Sequence, residues 1–304
     1  MKRNEFDMTR LRSIGTFISV GLILIATMSL SLRGLNWGQD FTGGVVTEVQ
    51  LDHTVTAAEL RPALAGSVAD TVSVISAGEP GRWVLRYSPP EGGATQAQTE
   101  ISVIQTALAG LSSELEVLKT EFVGPQVGEE LVEQGGLALL MALVSILAYL
   151  SFRFEWRLAS GALMALLHDV MLVLGLFALM QWEFDLTVFA AVLAVLGYSL
   201  NDSIIIADRI RSTLLSEPGR KINEISDMAI RATLSRTLIT SGTTLATVAC
   251  LWLLGGDSLQ GFSTALFVGI IAGTWSSITL GTVVPDKLGL EAAHYQPVAL
   301  DDRP

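Results

Sequence analysis

The sequence predicts a polytopic α-helical membrane protein with six transmembrane helices and one polar α+β domain between the first two helices. The 304 residues have a mean hydropathy of +0.51, and only 16% of them are charged. A soluble domain usually carries about 25% charged residues. Six apolar segments are long enough to cross a bilayer, which takes about 20 residues. One segment, 40–133, breaks the apolar pattern with 14 acidic and 4 basic residues.

The six predicted spans occupy about 13–32, 135–152, 159–180, 186–207, 237–254 and 260–284. We expect the first span to be retained rather than cleaved as a signal peptide. Its apolar run is long, and no A-x-A-like cleavage site follows it.

Lysine and arginine residues near the spans predict the orientation of the chain. They lie on one side of the predicted membrane: Lys2, Arg3, Arg10, Arg12, Arg153, Arg157, Arg209, Arg211, Arg220, Lys221, Arg231 and Arg236. The opposite short loops, QWEFD and GGDSLQ, have none. Both termini are therefore expected in the bacterial cytoplasm and the polar domain in the periplasm.

This orientation gives a predicted domain layout along the chain. It comprises a cytoplasmic N-terminus (1–12), a first span (13–33), a periplasmic domain (34–134), a five-helix bundle (135–284) with a cytoplasmic loop near 208–236, and a cytoplasmic tail (285–304).

The polar domain has the pattern of a small α+β fold. VVTEVQL, TVSVISA, WVLRYS and LEVLKTEFV are strand-like, and TAAELRPALAG and TQAQTEISVIQTALAGL are helix-like. The order βαββαβ is that of a ferredoxin-like domain. The acidic composition argues against a nucleic-acid partner.

The sequence offers no sign of catalysis. It has no nucleotide-binding loop, Ser/His/Asp spacing or CxxC motif. We therefore expect no enzyme activity, no metal site and no cofactor. The single cysteine, Cys250, is expected to be a small core residue.

GYSLNDSIIIADRIR, residues 197–211, places a carboxylate inside the fourth apolar run. Asp202 lies roughly 7–8 Å inside the predicted membrane edge, at 1.5 Å per helical residue. An ionised side chain at bilayer depth costs about 2.5–3.5 kcal/mol on insertion scales, so it persists where it meets a partner or a water-filled path. Asp202 is a candidate proton-binding group, with Asn201 as a secondary candidate. The alternative is a neutral carboxyl group that only hydrogen-bonds a neighbouring helix.

The fifth span offers a cation and a polar stripe. Arg236 and Asp202 lie at comparable depths, because their spans are antiparallel and joined by one loop. Arg236 either tunes Asp202 or only snorkels to the headgroups. Four threonines recur from Arg236 at helical spacing: Thr240, Thr243, Thr244 and Thr247. They either form a polar path or pack helices together.

His168 and Asp169 form a second intramembrane pair, near the middle of the third span. Histidine titrates near physiological pH, so the pair is a secondary candidate for a proton relay. A hydrogen-bonded pair that fixes helix packing is an equal alternative. Gly269 and Gly273 form a G-x-x-x-G pattern in the sixth span, which predicts the close approach of another helix.

Several motifs together resemble the SecD/SecF family of protein-export membrane subunits, which is related to the RND transporters. GYSLNDSIIIADRIR followed by SRTLITSGTT resembles the fourth and fifth spans of the family, and LLHDV also matches. LNWGQDFTGG resembles the G-x-D-F-T-G-G motif that begins the periplasmic domain, and GPQVGEEL resembles the lead-in to the second span. The resemblance covers nearly the whole chain and favours the SecF branch over SecD. The motif residues of the domain are Asp40, Phe41, Gly43 and Gly44.

The resemblance implies a half-RND-like bundle in the inner membrane, in contact with lipid, and a role in protein export. Such subunits pair with SecD, associate with the SecY/SecE/SecG channel and often with YajC. They help unfolded secretory proteins complete translocation after the SecA ATPase has acted, and they use the proton-motive force. In that picture the essential aspartate, arginine and threonine fall on Asp202, Arg236 and Thr240. Gln39 and Ser235 depart from residues common in the family, and the C-terminus lacks the basic tail of some relatives.

The combined expectation is a proton-coupled export subunit in which Asp202 binds the proton and Arg236 tunes it. An RND-type exporter of small molecules or lipids is the alternative, although six spans are half of such a transporter. A non-transporting scaffold of the channel is a second alternative, and an intramembrane hydrolase is a third.

Overall fold

The computed structural model describes residues 8–65, 72–77, 80–87, 94–112, 115–123, 125–217 and 219–295. Within these ranges, six helical segments are long and apolar enough to cross a membrane: Met8–Arg33, Val127–Arg153, Trp156–Met180, Leu186–Ser216, Ile222–Leu254 and Ser258–Lys287. They agree in number and order with the six predicted spans.

The helices are α1 (Met8–Arg33), α2 (Gln39–Thr42), α3 (Ala57–Leu64), α4 (Ala94–Leu108), α5 (Pro125–Arg153), α6 (Trp156–Met180), α7 (Leu186–Ser216), α8 (Ile222–Leu254), α9 (Asp257–Ile278) and α10 (Leu280–Lys287). A short 3-10 helix, Ala292–Tyr295, follows them. The second span is longer than predicted, because α5 continues without a break from the end of the polar domain.

The segment 208–236, predicted as a loop, is mostly helical. α7 continues to Ser216 and α8 begins at Ile222, so only a short connection separates them. The helices persist because apolar side chains keep facing the bundle beyond the predicted membrane edge. Ile210, Leu214 and Ile225 lie in one buried cluster.

The strands are β1 (Asn36–Trp37), β2 (Gly44–Gln50), β3 (Val72–Ser76), β4 (Arg82–Tyr87), β5 (Glu116–Val123) and β6 (Glu183–Phe184). Four of them form the sheet of the polar domain in the order β3-β4-β2-β5, with every neighbouring pair antiparallel. With α3 and α4, the chain order of the domain is strand, helix, strand, strand, helix, strand, as the sequence pattern predicts.

The core of the domain lies between the sheet and its two helices. Buried side chains of the central strands, such as Val45, Val49 and Leu85, pack against Leu60 of α3 and Leu108 of α4. They alternate along the strands, because successive residues point to opposite faces of a sheet.

The N-terminus of α3 is capped by Thr56 and Glu59. The Thr56 backbone N–H donates to Glu59 Oε2 at 2.9 Å, as in a capping box. This bond lowers the pKa of the Glu59 carboxyl group from its usual value. Pro62 lies inside α3, and the helix ends two residues later at Leu64.

β1 and β6 form a parallel contact that the sequence did not predict. Asn36 pairs with Glu183 and Trp37 with Phe184. β1 follows α1, and β6 lies between α6 and α7. This contact therefore joins the start of the polar domain to the end of the helix bundle on the domain side, which is called the outer end below.

Gly269 and Gly273 confirm the predicted close approach of helices, and the partner helix is α7. A Cβ atom on Gly269 would lie 2.2 Å from Val195 Cγ2. A Cβ atom on Gly273 would lie 3.1 Å from Ser199 Cβ. Either distance is shorter than ordinary van der Waals contact, so only glycine leaves α7 and α9 room to pack this closely.

Arg12, which the orientation rule counts as a flanking charge, is buried in the structure. Its side chain is 1% exposed, and its Nη1 lies 2.8 Å from Asp227 Oδ1 of α8. Its Nε donates to Thr282 Oγ1 of α10 at 2.9 Å. A buried charge persists when it is paired and hydrogen-bonded. Arg12 therefore ties α1 to α8 and α10 at the end of the bundle far from the polar domain.

The prediction for Cys250 was wrong, because its side chain is exposed on the surface of α8. Apolar side chains cover both the inside and the lipid-facing outside of a membrane bundle. Hydrophobic surroundings in the sequence therefore do not distinguish a core position from a surface position.

We expect Gly269→Ala to lower the thermal unfolding temperature of the purified chain. The added methyl group overlaps Val195, and overpacking of this kind costs about 1–3 kcal/mol. Gly136→Ala on α5 is the matched control, because a Cβ atom there meets nothing within 4 Å. Equal unfolding temperatures for the two variants would contradict the close packing of α7 and α9.

Candidate functional site

Asp202 is buried where three helices meet. It lies on α7, and its side chain is 1% exposed. The Ser241 hydroxyl of α8 donates to Asp202 Oδ2 over 3.5 Å, the long limit of a hydrogen bond. Ser241 Oγ also lies 2.7 Å from Thr274 Oγ1 of α9. In the described part of the chain, this carboxyl group is held by one weak contact.

Arg236 does not form a direct ion pair with Asp202. It lies on α8, five positions before Ser241, and its side chain is exposed at the surface of the bundle. Within the described ranges, none of its nitrogens comes within 4 Å of a carboxylate.

Thr240 lies one turn beyond Arg236 and donates to the Arg236 carbonyl oxygen at 3.0 Å. The rest of the predicted threonine stripe does the same within α8: Thr243, Thr244 and Thr247 each donate to a carbonyl one turn earlier. Thr243 and Thr247 are exposed at the surface of the bundle. Thr240 and Thr244 are half-buried, so the stripe runs from the outside of α8 toward the buried side where Ser241 meets Asp202.

His168 and Asp169 form a second buried polar group, and the Asp169 carboxyl group has three hydrogen-bond partners. His168 Nδ1 lies 2.9 Å from Asp169 Oδ1. Ser276 of α9 donates to Oδ2 at 2.9 Å, and Ser199 of α7 also donates to Oδ2. This carboxylate therefore connects α6, α7 and α9, and its hydrogen bonds come from side chains in fixed positions.

Asn201 does not join either group, because its side chain is exposed on the surface of α7, about 100° around the helix from Asp202. Sequence reasoning missed the hydroxyl groups that do join them: Ser199, Ser241, Thr274 and Ser276. Helical spacing could have indicated two of these hydroxyl groups. Ser199 lies three residues before Asp202 on the same face of α7. Ser276 lies three residues after Gly273 on α9.

The motif at the start of the polar domain meets the outer end of the bundle. Asp40 Oδ2 accepts a hydrogen bond from the Leu186 backbone N–H at 2.9 Å. Phe41 is buried and stacks on Phe184 with ring centroids 6.2 Å apart. The motif therefore contacts the segment that leads into α7.

Gly43 and Gly44 turn the chain from the motif into the sheet. Their φ angles are 73° and 153°, values that side chains disfavour. A Cβ atom on Gly44 would lie 2.1 Å from Gln39 Nε2. Gln39, where the sequence departs from the family pattern, uses that amide to donate to the carbonyl oxygens of Val45 and Tyr87.

These groups have the chemistry to bind a proton. In the described part of the chain, no three histidine, cysteine or acidic side chains lie together as metal ligands. A buried carboxyl group is costly when it is ionised and unpaired, and a nearby cation offsets that cost, so such a group can bind and release a proton.

Comparisons with known proteins agree with these motifs. Residues 103–289 match the profile of "Protein export membrane protein SecD/SecF, C-terminal", and residues 29–55 match the "SecD/SecF GG Motif". The chain is 42% identical over 290 residues to Protein translocase subunit SecF of Vibrio alginolyticus, covering 95% of this chain and 91% of that protein. It is also 42% identical over 311 residues to the subunit of the same name from Pseudomonas aeruginosa, covering 100% and 99%.

Solved structures give the same result. The crystal structure of SecDF from Thermus thermophilus, a translocon-associated membrane protein, matches with a TM-score of 0.79 and 32% identity. The match covers 92% of this chain and 38% of that longer chain. A family profile that matches more than half of the chain, with relatives aligned over nearly their full length, shows that the chain belongs to the SecD/SecF family of protein export membrane proteins.

Proposed function

We propose that the chain, as a SecF-type subunit of the protein translocase, couples proton movement at Asp202 to protein export. The observation that carries the proposal is the position of Asp202, buried among α7, α8 and α9 with one hydrogen bond of 3.5 Å. A carboxylate so poorly solvated in a membrane span is costly, which favours a role in function over a role in packing.

Binding of a proton changes the hydrogen bonds around Asp202. The Ser241 hydroxyl has one proton, which it can donate to Asp202 or to Thr274. An ionised Asp202 attracts that proton, whereas a protonated Asp202 can donate its own proton to Ser241 Oγ and release the Ser241 proton toward Thr274. Since the three residues lie on α7, α8 and α9, this exchange alters the contacts between three helices.

The membrane potential supplies the driving force in this mechanism. Moving one charge through the potential provides about 2.3 kcal/mol per 100 mV. Arg236 favours the ionised form of Asp202 through its positive charge, so it helps release the proton. No cofactor is required, because the proton gradient is the energy source.

A second subunit is proposed to cover the exposed polar side of α7 and α8. Asn201 is exposed there inside the fourth predicted span, and Arg236 is exposed directly before the fifth. Lipid cannot satisfy the hydrogen bonds of an amide side chain at that depth. The partner that fits is SecD, because the related SecDF structure contains a second part, outside the 38% that this chain matches. Contacts with SecY/SecE/SecG, YajC and SecA rest on the family resemblance.

The polar domain is proposed to be a periplasmic ferredoxin-like domain that acts on the unfolded secretory protein. Its βαββαβ order and four-stranded antiparallel sheet support the fold assignment. Its placement outside an inner membrane, with both termini in the cytoplasm, is supported by the distribution of lysine and arginine residues.

The comparisons favour this function over an RND-type exporter of small molecules or lipids. The similar full-length relatives are named as protein translocase subunits. A scaffold that only stabilises the channel differs from the proposal in one respect, since it would not need an ionisable group at Asp202.

We expect Asp202→Asn to abolish the stimulation of export by the proton gradient, because asparagine cannot load and release a proton. The measurement is translocation of a secretory protein into inverted membrane vesicles with ATP, with and without a protonophore. The matched control is Asp208→Asn on the same helix, since Asp208 is exposed and pairs with Arg153. Normal stimulation in a SecD-assembled Asp202→Asn subunit would support the scaffold instead.

We expect Asp169→Asn to destabilise the subunit but to keep the stimulation of export by the proton gradient. Its carboxylate accepts three hydrogen bonds, and disturbing such a buried network costs about 1–3 kcal/mol. The variant should unfold at a lower temperature while its assembled fraction keeps the gradient stimulation. Asp202→Asn serves as its comparison, with lost stimulation and a smaller change in unfolding temperature. Loss of stimulation in a stable Asp169→Asn subunit would instead place His168 and Asp169 in the proton path.

A further inference from the structure

α7 extends from Asp202 to the polar domain without a break. Leu186 is the first residue of α7, and Asp202 lies sixteen positions later, about 24 Å along the helix at 1.5 Å per residue. No peptide connection joins α7 directly to the polar domain, which follows α1 and precedes α5. Any effect of α7 on the domain must therefore pass through noncovalent contacts at the outer end of the bundle.

We propose that Asp40 is a positioning residue that couples α7 to the polar domain, so that an axial movement of α7 at Asp202 displaces the domain. The inference rests on the proposed function. Asp40 Oδ2 accepts the Leu186 N–H at 2.9 Å, so a carboxylate of the domain caps the helix that carries Asp202. The N-terminus of a helix has unpaired N–H groups and a partial positive charge, and a carboxylate satisfies both.

The N-terminus of α7 has two caps, and only one of them connects two parts of the molecule. Asp185, the residue before the helix, accepts the Val188 N–H at 2.8 Å and so satisfies a local donor. Asp40 satisfies the Leu186 donor from 146 positions earlier in the chain. The local cap of Asp185 stabilises α7 itself, whereas the bond to Asp40 also links α7 to the polar domain.

The domain side of this connection is held firmly. Asp40 lies four residues before β2, which pairs with both β4 and β5. The neighbouring Gln39 side chain donates to the carbonyl oxygens of Val45 in β2 and Tyr87 in β4. A force on the Asp40 carboxylate therefore reaches the middle of the sheet through the short segment between Asp40 and β2.

Further contacts converge on the residues just before α7. Arg86 of β4 pairs with Glu183 at 2.7 Å. The Gly38 N–H donates to the Phe184 carbonyl oxygen at 2.8 Å. These contacts hold the domain against the loop, and the Asp40 bond is the one that reaches the first turn of the helix itself. We therefore expect the polar domain to stay attached to the bundle when the Asp40–Leu186 bond alone is removed.

The test removes the bond from each side. Asp40→Ala removes the acceptor, and Leu186→Pro removes the donor. Proline is favoured at the first position of a helix, where its missing N–H is not needed by the helix. Asp185 has φ −98° and ψ −179°, which suits a residue before proline, so Leu186→Pro should leave α7 intact. Asp185→Ala is the matched control, because it removes a cap from the same helix end without breaking the link to the domain.

The first readout is export by vesicles that contain SecD, with and without the proton gradient. We expect Asp40→Ala and Leu186→Pro each to lower the gradient stimulation about fivefold, the scale of the contribution of one carboxylate at a helix N-terminus. The double variant should be no worse than either single variant, because both remove the same bond. The Asp185→Ala control should keep the stimulation.

The second readout is the position of the domain. One spin label replaces exposed Lys119 on β5, and the other replaces exposed Leu254 at the outer end of α8. In the wild type the distance between the labels should change when the gradient is applied, and in Leu186→Pro it should not.

Three outcomes would overturn the inference: full stimulation in Leu186→Pro, additive losses in the double variant, or equal loss in Asp185→Ala. Failure of the proposed function itself has a separate signature. In that case the wild type and Asp202→Asn would respond alike to the gradient, whatever the Asp40 variants do.

Discussion

The close approach of α7 and α9 is the constraint on which the rest of the bundle depends. Gly269 and Gly273 have no side chains to hold the helices apart, so Val195 and Ser199 of α7 lie directly against α9. Within a membrane, polar side chains find their hydrogen bonds in the protein rather than in water. The short distance lets the Asp169 carboxylate accept hydroxyl donors from both helices at once.

The two buried aspartates differ in how completely the protein satisfies them. The Asp169 carboxyl group has hydrogen-bond partners in a histidine and two serines. Among the described residues, Asp202 has one hydrogen bond, of 3.5 Å. Similar burial thus gives one group suited to fixing helices and another suited to changing its charge. Depth in the membrane alone would not distinguish them.

The polar domain and the bundle are joined by more than the two helices that enter and leave the domain. The parallel contact of β1 and β6, the Arg86 ion pair and the Asp40 cap all lie between the sheet and the loop before α7. At the other end, buried Arg12 holds α1 against α8 and α10. The helix bundle around Asp202 is therefore held by polar contacts at both of its ends. A movement of the helices at Asp202 can be passed on through these contacts.

The sequence by itself determined the membrane class, the six spans, the βαββαβ order and the positions of the buried carboxylates. Hydropathy, strand alternation and the cost of a charge in hydrocarbon act locally and can be read along the chain. Only the tertiary structure decided that Ser241 contacts Asp202, that Thr243, Thr247 and Cys250 face outward, that Arg12 is buried, and that Asp40 caps α7. Those facts depend on the rotation of each helix about its axis and on contacts between residues far apart in sequence. An apolar pattern leaves them open, because the inside and the lipid-facing outside of a membrane bundle are both apolar.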